Sequence, residues 1–234
     1  MKFYRIAAVA AGICTSISMA NVAQAAFVMT IDDLNTAGID VILSDGLGIG
    51  ATTTSGLTTT VADAGLTPDG VISFNGGVGS FTVSVVTGVS DPVIGPGQID
   101  LNSINVSGGS GNLLIRLTDT DYTGAFPSYT TNFGGTTTGS VDFNFLQDGG
   151  NGEFGGTSFF NPAAVGGGAF SGSSTDAIGA GSPYSLTILA QITHIGTGQI
   201  SSFDAHLVPV PVPAAVWLFG SGLLGLAGIA RRKT

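Results

Sequence analysis

A single cysteine, a single tryptophan and six basic residues are all that this 234-residue chain holds of those types, and charged residues make up 9% of it. One cysteine cannot close an internal disulfide, so the fold stands on packing and hydrogen bonding alone. With two histidines, almost no other bases and no G-x-S-x-G elbow, the chain is expected not to be an enzyme. His194 ends a strand-like segment, where an edge or turn role is expected, and His206 stands just before a proline-spaced stretch that offers no rigid site. Five of the basic residues, Lys2, Arg5, Arg231, Arg232 and Lys233, lie at the two ends, which leaves Arg116 alone against fifteen acids, of which only Glu153 is not an aspartate. A body of charge roughly −14 repels phosphate backbones and anionic surfaces, which excludes nucleic acid and leaves cations or neutral glycans as partners. No fixed repeat of about 20–50 residues recurs, against a solenoid or propeller.

What the chain does have begins at its ends. Lys2 and Arg5 precede the apolar stretch IAAVAAGICTSI, Ile6 to Ile17, and Ala23-Gln24-Ala25 forms a small-x-small site, so a signal peptide over 1–25 is expected, cut by signal peptidase after Ala25. Cys14 leaves with it, and the bulky Ile13 before Cys14 argues against lipidation. At the other end Ala214 to Ala230 carries no charge, and a helix of that length spans roughly 25 Å against a hydrocarbon core of about 30 Å. The basic residues that follow put the tail in the cytoplasm and the body outside. Pro209, Pro211 and Pro213 alternate with valine ahead of this helix, which predicts a stiff, extended lead-in excluded from any sheet interior.

The stretch VPVPAAVWLFGSGLLGLAGIARRK closely resembles the C-terminal sorting signals of the PEP-CTERM family in their VPxPA form. Val210, Pro211, Val212, Pro213 and Ala214 stand for the proline motif, Trp217, Gly220 and Gly222 for the helix core, and Arg231, Arg232 and Lys233 for the basic stop, with Val212 where the name-giving motif has glutamate. The resemblance implies an exosortase partner that removes the helix, transient anchoring in the inner membrane, and delivery to the surface or exopolysaccharide matrix of a Gram-negative bacterium. A permanent single-span anchor satisfies the same length rule. More weakly, DLNSINVSG, LTDTDYTG, FGGTTTGSV and PYSLTILAQITHIGTGQISSFDAHL resemble the bodies of PEP-CTERM proteins, which implies secretion and no ligand.

Between the ends, GSFTVSVVTG, GSVDFNFLQD and YSLTILAQITH alternate apolar and polar residues with the period of half-buried strands. Further strands are expected at 27–31, 39–43, 71–74, 99–106, 113–118 and 200–207. NGGVG, SGGSGN, QDGGNGEFGG and VGGGAFSGSS read as turn-rich connections, and the runs at Thr52 to Thr54, Thr58 to Thr60 and Thr136 to Thr138 as loops or exposed edges. The expectation is an all-β domain over 26–207, an antiparallel two-sheet sandwich, jelly-roll-like, followed by the sorting tail over 208–234 with its transmembrane helix.

Motifs for chemistry are weak. GLGIGA formally supplies Gly46-x-Gly48-x-x-Ala51, but TTTSGLTTT after it cannot begin the helix a dinucleotide fingerprint needs. DTDYTG sets Asp119, Asp121 and Gly124 in an EF-hand-like order, yet Thr130 stands where the bidentate glutamate belongs. No cofactor is expected apart from calcium in a looser loop site, with Asp119, Asp121, Asp148 and Glu153 as candidates, against a plain reading as solvated turn residues. Tyr122, Phe126, Tyr129 and Phe133 cluster along one loop, either as a sugar platform or as rings covering a sandwich edge. The leading reading is a non-enzymatic surface or matrix protein. The alternative is a secreted glycan-binding module; ice binding needs a regular threonine array that these short runs do not form.

Overall fold

The structure, a computed structural model, describes residues 25–46, 59–61, 68–124, 126–179, 181–211 and 214–231. Cys14, Ala23, Gly48, Ala51, Thr52 to Thr54, Thr58, Val212, Pro213, Arg232 and Lys233, on which parts of the sequence reading rest, lie outside the described residues.

Among the described residues twelve strands and one helix follow in order: β1 (Val28–Asp33), β2 (Val41–Ser44), β3 (Thr59–Val61), β4 (Val71–Val78), β5 (Phe81–Val89), β6 (Ile99–Gly108), β7 (Gly111–Tyr122), β8 (Ser128–Asp148), β9 (Thr157–Phe160), β10 (Val165–Ala177), β11 (Tyr184–His194), β12 (Ile200–Pro209) and α1 (Ala214–Arg231). Pairing is antiparallel and runs β2-β1-β7-β11-β8-β12-β6-β5-β4-β3, with β9 and β10 along the other edge of β8.

The 21-residue β8 organises the molecule. Tyr129 to Thr137 pair with β12, and Ser140 to Asp148 pair with β11. At the switch a Cβ on Gly139 would sit 2.3 Å from the Thr193 carbonyl oxygen and 2.9 Å from the His194 ring, so only glycine lets the strand turn this corner. One layer is therefore β3-β4-β5-β6-β12 with the first half of β8 and β10, and the other is β2-β1-β7-β11 with the second half of β8 and β9. The layers face each other closely: a Cβ on Gly88 of β5 would lie 2.6 Å from Leu117 of β7 and 3.1 Å from Met29 of β1.

Alternation decides what enters the core between the layers. Leu186, Ile188, Ala190 and Ile192 of β11 are all buried, as are Phe81 and Val83 of β5 and Val141, Phe143 and Phe145 of β8. Rings knit the middle: Phe133 lies 4.8 Å from Phe143, which meets Phe203 edge-on at 5.3 Å.

The antiparallel two-layer sandwich matches expectation, but the connectivity differs from a jelly roll. Strands β3 to β6 form a plain meander within one layer, where paired Greek keys would carry consecutive strands across. VGGGAFSGSS, expected as a turn, is the start of strand β10, because the long edge of β8 supplies its backbone partners and Phe170 packs 6.1 Å from Phe143. Asn75 to Gly77 likewise extend β4. Thr136 and Thr138 are exposed, but Thr137 is buried and meets Ser201 Oγ at 2.7 Å.

The body also runs further than residue 207. Pro209 is buried in β12 opposite Tyr129, and the Val210 amide donates to the Ser128 carbonyl at 3.0 Å. In an antiparallel ladder hydrogen-bonded pairs alternate, so Pro209 turns its ring nitrogen away from β8, toward β6, whose pairing with β12 ends at Leu207. The missing N–H therefore leaves no gap in the ladder. After the exposed Pro211, helix α1 begins at Ala214 as expected and presents Leu218, Phe219, Leu223, Leu224 and Leu226 to the surroundings. Among the described residues no helix is long and apolar enough to cross a membrane, so the transmembrane helix expected in the tail is not borne out.

Candidate functional site

The outward faces of β10, β8, β12 and β6 form a polar trough. Register places Ser173, Asn132, His206 and Asp100 in one row across the four strands, and Ser171, Gly134 and Asp204 in the next across three. At a strand spacing of about 4.8 Å, the first row extends over roughly 14 Å. Gly134 contributes no side chain, which opens a concavity of about 520 Å³ whose lining includes Asn132, Gly134, Ser171, Ser173, Asp204 and His206, with Phe133 and Gly172 between them. A smaller one of about 180 Å³ adjoins it across His206 and is bordered by Asp100 and Gln98.

The side chains here are held in place. Asn132 Nδ2 lies 3.2 Å from His206 Nε2, and Thr130 and Thr175 join hydroxyls at 3.0 Å beside them. Asp204 Oδ1 accepts the Ser103 amide at 2.7 Å; Ser103 occupies positive φ, 56°, at an irregularity in the β6–β12 register. Burial pushes the Asp100 carboxyl above its ordinary range and Asp204 adds to the rise, while the Asn102 amide and the neighbouring His206 pull it down. Chemically this is a row of fixed hydroxyl, amide, imidazole and carboxylate groups, the set that hydrogen-bonds polyols.

This face is only half legible in the sequence. Alternation in SSFDAHLV does set Ser202, Asp204 and His206 on the polar side, but their neighbours on β10 lie in a stretch read as a turn. His206 is not the loosely placed residue expected, because β12 continues past it.

Three of the four rings of the aromatic cluster are buried. Tyr122, Tyr129 and Phe133 are buried, Tyr129 Oη meets Tyr184 Oη at 2.8 Å, and Phe126 packs edge-on against Tyr129 at 6.2 Å. Tyr122 and Tyr129 belong to the core, whereas Phe126 is half-buried and borders a concavity of about 560 Å³ with Pro127, Ile178 and Tyr184, and Phe133 borders the 520 Å³ concavity. His194 is also interior, with Nδ1 2.6 Å from the Gly108 carbonyl and Nε2 3.0 Å from Ser201 Oγ. It ties the β6–β7 turn to β12 at the corner where β8 changes layers. Both His194 and Ser201 are at most 1% exposed, so this pair meets no substrate.

The four calcium candidates do not converge. Asp119 points into the core, where its carboxylate accepts from Ser90 Oγ and from the Thr120 amide at 2.8 Å. Asp121 exchanges hydrogen bonds with Asn151 at 2.7 and 2.6 Å. Asp148 caps its own turn by accepting the Gly150 and Gly152 amides at 2.7 and 3.0 Å, and Glu153 borders a separate cavity of about 410 Å³. No three His, Cys, Asp or Glu side chains gather as a metal group among the described residues. Local turn hydrogen bonds have taken the oxygens a cation would need.

The same 410 Å³ cavity carries Ala25 and Ala26 on its wall, and the Ala26 amide donates to Thr120 Oγ1 at 2.7 Å. Arg116 donates to Thr30 Oγ1 at 3.0 Å and lies 5.1 Å from the centre of the Phe154 ring. In the tail, a Cβ on Gly220, Gly222 or Gly225 would meet nothing within 4 Å, so α1 is open at these positions. Trp217 falls within α1, and Arg231 is its last residue.

No family model matches the chain, and no curated protein does. Among solved structures it is similar to a family 29 carbohydrate binding module mutant, at 13% identity over 71% of this chain and 97% of that one, with a TM-score of 0.29. CBM4 gives 14%, 56% and 76%, with 0.29. The enzymatically active domain of bacteriophage CBA120 tailspike protein 4 gives 16%, 65% and 19%, with 0.31. Scores this low assign neither fold nor ligand to this chain.

Proposed function

We propose that the chain is an exported, non-enzymatic protein of the cell surface or matrix that contacts polysaccharide through the trough on β10, β8, β12 and β6. The trough carries this reading. It is open, lined by fixed polar groups at strand spacing, and deepened where Gly134 lacks a side chain. Its groups are hydrogen-bonding partners for hydroxyls. The two histidines do not supply a base near a reactive nucleophile, since His194 is buried and His206 is paired with Asn132.

The tail supports export and sorting. Signal peptidase would act after Ala25, an exposed residue at the start of the described body. An exosortase would act between the last sheet contact, at Val210, and helix α1, whose described leucines are exposed. Contact of the tail with the inner membrane would then be transient.

Binding of the full chain to a panel of neutral oligosaccharides, measured by calorimetry in detergent micelles, tests the role of the trough. At least one should bind, and Gly134→Val should abolish it; no binding across the panel refutes the reading. Intact masses from cells with and without exosortase test the tail. Loss of the segment after Val210 only when the enzyme is present supports sorting, whereas a mass ending at Thr234 in both makes the helix a permanent anchor.

A further inference from the structure

We infer that the trough discriminates among glycans by charge, taking sugars that carry free amino groups in preference to neutral ones and rejecting uronate or sulfate sugars. This rests on the glycan-contacting reading above and names the ligand class of the same site. Asp204 is exposed, and only its Oδ1 is engaged, by the Ser103 amide at 2.7 Å. Its Oδ2 takes no protein donor among the described residues, and Asp204 lines the 520 Å³ concavity. That anchoring fixes the carboxylate while leaving one oxygen for a ligand, an arrangement suited to an ammonium group. Asp100 adds a second carboxyl at the end of the row, beyond His206.

Cations to oppose them are nearly missing. Arg116 is the body's only arginine and belongs to β7 in the other layer, held by Thr30 and Phe154. Only His206 in the trough can carry positive charge, and it sits between Asp100 and Asn132. An anionic sugar entering here finds no arginine or lysine fork for its carboxylate or sulfate, and it approaches a body with fifteen acids. A protonated amino sugar meets the opposite situation. The polar row is still needed, because a carboxylate alone would hold any cation without regard to its shape.

The full chain in detergent micelles would be titrated with a glucosamine oligomer bearing free amines, with its N-acetylated counterpart and with an oligogalacturonate. The free-amine oligomer should bind roughly three- to fivefold more tightly than the acetylated one, the range of a partly exposed ion pair. The uronate should not bind. Asp204→Asn keeps the acceptor for Ser103 and should bring the two affinities together, the free-amine oligomer losing more than the acetylated one. Gly134→Val leaves the charge untouched, and the new Cβ meets only ordinary contacts, 3.4 Å from the Phe170 carbonyl. It should abolish binding of both oligomers. If the free-amine oligomer still binds the Gly134→Val protein, the attraction is a property of overall charge and the inference is overturned. It is also overturned if Asp204→Asn keeps the preference or the uronate binds equally well, although acetylated binding lost in Gly134→Val would leave the glycan-contacting reading standing. If no sugar binds the unaltered protein, both fall.

Discussion

Asp119→Asn should stabilise this protein at neutral pH and flatten its stability profile in mild acid. Asp119 is 4% exposed, and burial pushes its carboxyl from the ordinary 3.8 up to about 6, against hydrogen bonds from Ser90, Tyr122 and Thr120 that lower it, with Asp91 adding to the rise. The folded state therefore holds a proton that the unfolded chain has lost between about pH 3.8 and pH 6. Where the native state binds more protons, stability falls as pH rises, so Asp119 costs little below pH 3.8 and its full amount above pH 6. The difference between the two values corresponds to about 3 kcal/mol at neutral pH, and about 2 kcal/mol of that develops between pH 4.5 and pH 7.5. Asparagine fits the same place. Its carbonyl can accept the Thr120 amide, its Nδ2 can donate to Ser90 Oγ, and Ser90 can pass its own proton to the Gln98 carbonyl at 3.2 Å, which Tyr122 also reaches at 2.9 Å. Urea unfolding of both proteins across that pH range provides the assay. With a denaturant slope of about 2 kcal/mol per molar, the gap between midpoints should widen by about 1 M toward neutral pH. Asp32 and Asp100 are also raised by burial, but they titrate in both proteins and cancel in the difference. A gap that stays constant with pH, or an Asp119→Asn protein less stable than the parent at pH 7.5, would refute the argument.

Gly139→Ala should cost about 3 kcal/mol, since its Cβ would meet the Thr193 carbonyl oxygen at 2.3 Å where backbone cannot yield, lowering Tm by roughly 6 to 12 °C. Gly134→Ala, with its nearest contact at 3.4 Å, should stay close to the parent in the same melt, and equal losses in the two would mean that the corner is not tight. A chelator should leave Tm unchanged in calcium-containing buffer, because Asp148 spends its oxygens on the Gly150 and Gly152 amides, whereas Asp148→Ala should cost about 1 kcal/mol for the lost turn cap. A Tm that drops on chelation would restore a cation to this loop.

Much of the fold was legible in the chain itself. Period-two alternation sets Leu186, Ile188, Ala190 and Ile192 on one buried face whichever strands pair with β11, because a strand's two faces follow from its own backbone geometry. The same pattern marked most of the other strands, and the uncharged run from Ala214 marked α1. Charge was equally local: six basic residues, five of them at the two ends, against fifteen acids argue against a nucleic-acid-binding surface in any fold. Tertiary structure alone decided the rest. VGGGAFSGSS has no intrinsic preference for a strand and becomes one because β8 offers it a 12-residue ladder. Pro209 enters a sheet because β6 has stopped pairing where its nitrogen points. Tyr122 and Tyr129 went inward and His194 became a corner tie, since burial depends on which layer covers a face. The trough joins Ser173, Asn132, His206 and Asp100 from four strands far apart in the chain, and only the register between those strands places them in one row.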